Sequence, residues 1–105
     1  MRRLTAVAVV ISVLLTTATL SHAETIRVEI KDLAFVPAAI TAHAGDVIEW
    51  ANDDFLDHTA TGKNGEWEVN LPADGSGRIE IKAPEGELEY YCRYHPNMKG
   101  EITIK

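Results

Sequence analysis

Near its end the chain reads Tyr90-Tyr91-Cys92-Arg93-Tyr94-His95-Pro96-Asn97-Met98-Lys99-Gly100. A thiol, an imidazole and a thioether follow one another at three-residue intervals, and Cys92 is the single cysteine. A second imidazole, His58, lies far upstream beside a strand-like run. Two histidines, one cysteine and a weakly held methionine are the donors of a type 1 copper site, which passes single electrons. The thiolate and two imidazoles form a near-trigonal plane that suits both Cu(I) and Cu(II), and the distant thioether adds a weak axial contact. Three of the four donors sit within seven residues, so one loop sets most of the geometry. His58, expected from the other end of the sandwich core, ties that loop to the scaffold.

Each donor alone has a plainer reading. A lone cysteine is most often a small buried hydrophobe, and a lone methionine fills core space. Together, at these spacings, they point to copper. His43 stands beside an Ala44-Gly45-Asp46 turn and reads as solvated. Trp50 and Trp67 read as core. The carboxylates Asp53, Asp54 and Asp57 read first as a solvated loop and second as a steering surface for a basic partner. Zinc accepts cysteine and histidine but has little use for methionine, so a structural zinc site is the weaker alternative.

The elements that hold the donors are short strands. Ile26, Val28 and Ile30 alternate with Arg27, Glu29 and Lys31, as on a half-buried strand. Phe35-Val36-Pro37 breaks the pattern, and Ala39–Ala42 is brief. Ile48, Trp50 and Asn52 share a face, as do Trp67, Val69 and Leu71. Ile79 and Ile81 mark a further strand. Leu88, Tyr90 and Cys92 share a face, and Ile102 and Ile104 face inward on the last strand. Turn signals punctuate the runs at Gly45, Gly65, Pro72–Gly77 and Pro84–Gly86. No helical period is found past the N-terminal segment. The pattern predicts an all-β Greek-key sandwich of seven to eight strands. Cys92 then lies at a strand end on the core-facing side, where the following loop can fold His95 and Met98 over it.

The first residues have a different character. Met1-Arg2-Arg3 precedes an apolar run from Ala6 to Leu15, and Ser21-His22-Ala23 offers a cleavage site. This is the order of an export signal, residues 1–23, followed by one domain, 24–105. The apolar run is shorter than the ~20 residues a spanning helix needs, which argues against a retained anchor. The mature chain is then expected in the periplasm as a monomer. Loss of Arg2 and Arg3 makes the formal charge two units more negative than the −6 of the whole chain. Such an acidic domain repels nucleic acid and anionic membranes and favours basic partners. A lone thiol in an oxidising compartment must be buried or metal-bound to survive, which supports copper independently.

The chain resembles the cupredoxins of the plastocyanin and amicyanin group. The matching stretches are Phe35–Pro37, Ala44–Asn52, His58-Thr59 and Tyr91–Gly100. The short Cys-x2-His-x2-Met loop is most similar to that of amicyanin. The resemblance implies one copper ion at His58, Cys92, His95 and Met98, and Asn52 as the residue bracing the thiolate loop. Two positions depart from the amicyanin pattern: Asp57 stands where a proline precedes the first histidine, and Asn97 replaces an apolar residue before the methionine.

The expected function is a one-electron carrier serving redox partner proteins. A filled coordination shell leaves no open position for a substrate, so catalysis is not expected. The alternative is copper delivery or tolerance, which would favour exposed, exchangeable donors.

Overall fold

The computed structural model describes residues 10–12 and 22–105. Most of the expected export signal therefore lies outside the described residues. Among the described residues, nine strands form two sheets. They are β1 (Thr25–Lys31), β2 (Ala34–Val36), β3 (Ala39–Ala42), β4 (Val47–Asn52), β5 (His58–Gly62), β6 (Glu68–Leu71), β7 (Ser76–Glu80), β8 (Gly86–Cys92) and β9 (His95–Ile104). One sheet has the order β2-β1-β4-β7 and the other β3-β9-β8-β5-β6.

Alternation decides which side of each strand faces the core. Val28 and Ile30 on β1 and Ile48 and Trp50 on β4 are fully buried. They meet Ala60, Tyr90 and Ile102 from the second sheet in one apolar cluster. The Tyr90 ring stands edge-on to Phe35 and Trp50, and its hydroxyl accepts a hydrogen bond from Trp50 Nε1 at 3.3 Å. Burial pushes the Tyr90 hydroxyl pKa up to about 12.

The ninth strand is β2, where the alternation breaks. It is three residues long, too short for a period, and forms a hairpin on β1 with Lys31 opposite Ala34. The two turn residues, Asp32 and Leu33, both have positive φ, 51° and 60°. Such a turn matches the twist of the flanking strands.

Three strands of the second sheet carry the candidate donors. β8 lies between β5 and β9, and both neighbours run antiparallel to it. His58 opens β5, Cys92 closes β8 and His95 opens β9. Antiparallel pairing thus brings all three to one end of the sheet. The pairing of β8 with β9 steps from Tyr91–Lys99 to Cys92–His95. Pro96, Asn97 and Met98 bulge out of register between these pairs. Proline, with no N–H to give the ladder, suits such a bulge.

Candidate metal centre

Cys92 is fully buried, His58 is 1% exposed and His95 is partly buried. Cys92 Sγ lies 3.6 Å from His58 Nδ1 and 3.6 Å from His95 Nδ1. The three donor atoms all lie within 4.8 Å of one another. A first-row metal holds thiolate at ~2.3 Å and imidazole at ~2.0 Å, so donors spread trigonally around it lie about 3.7 Å apart. The observed spacing fits an ion held between the three side chains. Met98 is 4% exposed and sits on the inward side of β9, in phase with Gly100, Ile102 and Ile104.

The thiolate is supported by its neighbours. The backbone N–H of Thr59 points at Cys92 Sγ, 3.4 Å away. A buried thiolate needs such donors, because unpaired charge is costly to bury. The Thr59 hydroxyl accepts the N–H of Arg93 at 2.8 Å and meets the Thr61 hydroxyl at 2.9 Å. Thr61 donates to Glu68 Oε1, which also faces Arg93 Nε at 3.3 Å. The proton directions around this ring are settled. Thr61 gives its one proton to Glu68, so the Thr59 hydroxyl, which accepts from Arg93, donates to Thr61. The ring closes over the outer face of β5 and locks the turn that follows Cys92.

Two readings from the sequence need correction. His58 does not come from the far end of the core but from the strand beside β8 in the same sheet. Asn52, expected to brace the thiolate loop, makes its hydrogen bonds elsewhere and leaves the sulfur to other donors. Its Nδ2 donates to the carbonyls of Leu56, Leu71 and Pro72, and its Oδ1 accepts the N–H of Asp54. Asn52 therefore braces the acidic 53–57 loop, while Thr59 serves the thiolate. Asn52 ends β4 in the opposite sheet, where the neighbouring loops are nearer than Cys92.

The acidic residues divide. Asp57 accepts the N–H of Ala73 at 3.0 Å. Asp54 Oδ2 lies 2.9 Å from His58 Nε2, and its oxygens accept the N–H groups of Asp32 and Leu33. Burial opposes the charge on Asp54, yet the Leu33 N–H, His58 and the Asp32 N–H together hold its carboxyl below the usual range. Asp53 stays exposed. Sequence pattern alone gives neither Thr59 nor Asp54 a part in holding the donors, yet both contact them. Their places near His58 in the chain do not by themselves mark these contacts. His43 is 69% exposed and precedes β4, whose opposite end leads toward the site, so it lies away from the centre.

A family model described as a cupredoxin-like domain matches residues 4–104. The chain belongs to the cupredoxin-like family. Copper is this cupredoxin's cofactor, and the His58–Cys92–His95 cluster fits one type 1 ion. A curated relative, amicyanin of Paracoccus versutus, is 22% identical over 93 residues, covering 79% of this chain and 67% of the relative. The solved amicyanin of Paracoccus versutus superposes with a TM-score of 0.67 at 24% identity, covering 77% of this cupredoxin and 81% of that chain. A purple cupredoxin from Nitrosopumilus maritimus gives 0.67 at 21% identity, covering 76% and 99%. At these identities the structural likeness is one of fold.

Proposed function

We propose that this cupredoxin is a one-electron carrier of the periplasm, with copper held by His58, Cys92, His95 and Met98. The observation that carries the reading is the 3.6 Å spacing of both histidine nitrogens from a fully buried thiol at one sheet end. A bound copper ion supplies the one-electron couple. The chain supplies a site that changes little between oxidation states. Cys92 and His58 are fixed by strands, Thr59 N–H steadies the sulfur, and the Arg93–Thr59–Thr61–Glu68 ring limits movement of the turn. Burial excludes water from the sulfur. His95, partly exposed, offers its ring as the route by which an electron leaves.

The burial of Cys92 and His58 also favours a carrier over a copper donor. Handing the ion to another protein by exchange needs donors that a partner can reach. Exposed apolar side chains, Tyr94 beside His95 and Phe55 before His58, offer a docking surface for redox partners. Catalysis is not part of this reading, since four protein donors leave no place for a substrate. Export by cleavage after Ala23 accounts for the location.

The test is the visible spectrum after adding Cu(II). The protein should develop an intense thiolate-to-copper band toward the red end, and Cys92→Ser should abolish it. A colourless complex, or a band that survives the substitution, would overturn the assignment.

A further inference from the structure

Among the described residues, Asp54 is the one carboxylate hydrogen-bonded to a candidate copper ligand, and three separate elements hold it there. Its backbone N–H is held by Asn52 Oδ1 at 2.9 Å, at the end of β4. Its two oxygens receive the N–H groups of Asp32 and Leu33 at 2.9 and 3.1 Å, from the β1–β2 turn. One of those oxygens also lies 2.9 Å from Nε2 of His58, whose side chain is fully buried. The turn is itself strained. Leu33 has a φ of 60°, a left-handed conformation that a branched side chain rarely adopts. That strain aims two N–H groups at the Asp54 carboxylate, and strain of this kind gathers where the surrounding structure enforces a function.

The consequence concerns which nitrogen of His58 is free. A carboxylate at Nε2 accepts a proton there, so Nε2 carries the hydrogen. Nδ1 is then left with its lone pair, and Nδ1 faces Cys92 Sγ. The hydrogen bond on one ring nitrogen sets the state of the other and raises its strength as a donor. Negative charge so close to a ligand also favours the more positive metal ion. Resting on the copper reading above, we propose that Asp54 is a positioning residue for His58. It holds the ring as a directed Nδ1 donor and stabilises Cu(II) relative to Cu(I), lowering the reduction potential.

The experiment compares Asp54→Asn with Asp53→Asn, a neighbouring exposed carboxylate that makes no contact with His58 in the structure. Removing a partner of a metal-bound histidine costs 10–100-fold in metal affinity. Asp54→Asn should therefore lower Cu(II) affinity relative to Cu(I) by about tenfold, a rise in potential of ~59 mV. The rise should persist at high salt, because the buried His58 ring and a mostly covered Asp54 carboxylate are in direct contact, while Asp53→Asn should give a smaller shift that salt removes. Imidazole nitrogen NMR of the wild-type apo protein gives a reading that needs no variant and no metal. His58 should carry its proton on Nε2. Equal shifts for the two variants, or a His58 proton on Nδ1, would overturn the proposal while leaving the copper assignment standing. A wild type that stays colourless with Cu(II) would overturn both.

Discussion

Thr59 serves the thiolate twice, through different atoms. Its N–H reaches the sulfur, and its hydroxyl holds the N–H of Arg93. Thr59→Val keeps the shape and the N–H but removes the hydroxyl. The Arg93 N–H then loses its acceptor and Thr61 loses its donor, at a cost of ~1–3 kcal/mol. Denaturant unfolding of the apo protein measures this, and the blue band should survive. Met98 is tested by Met98→Gln. An oxygen donor in the axial place favours Cu(II), so the potential should fall while the blue colour stays. An unchanged potential would mean that Met98 does not reach the ion.

At the scale of elements, β8 and β9 depend on one glycine. Gly100 stands opposite Tyr90 in the register, and a Cβ there would overlap the Tyr90 ring. Tyr90 is 1% exposed and packed against Phe35, Trp50 and Trp67, so it cannot move aside. Gly100→Ala should destabilise the fold by ~3 kcal/mol, an overpacking cost. Because Met98 lies two residues earlier on β9, the variant should also disturb the copper spectrum. The turn before β4 sets a pH dependence. The N–H groups of Glu24 and His43 hold the Asp46 carboxyl below its ordinary value of 3.8. A carboxylate depressed in this way stabilises the fold above its unfolded pKa, and that contribution is lost as pH falls through the folded value. Stability should therefore decline on acidification below about pH 4, and Asp46→Asn should flatten that limb of the curve.

The whole molecule carries a formal charge of −6, and removal of the first 23 residues makes it more negative. Association with a basic redox protein should accelerate at low salt and slow as ionic strength rises. In the acidic loop Asp53 and Asp57 are both exposed, while Asp54 is partly buried against His58. Stopped-flow electron transfer across ionic strengths should show a salt dependence that Asp53→Asn weakens but does not abolish. A rate indifferent to salt would exclude electrostatic steering.

The sequence alone determined the strand alternation, the inward phase of Cys92 and the donor set. Period-two alternation is a local property, because each side chain's face follows from its neighbours along one strand. The spacing of Cys92, His95 and Met98 is local for the same reason, since one hairpin carries all three. Residues 34–36 carry no strand signal because three residues cannot display a period, and β2 is defined by its pairing with β1. Only the tertiary structure decided that Thr59, rather than Asn52, meets the sulfur. It also turned Asp54 from a loop carboxylate into the partner of His58. The first contact needs β5 to lie beside β8 in one sheet, and the second needs the β1–β2 hairpin of the opposite sheet to direct its N–H groups at Asp54. Spacing along the chain encodes neither, because one depends on strand pairing and the other on the two sheets closing over one end of the core.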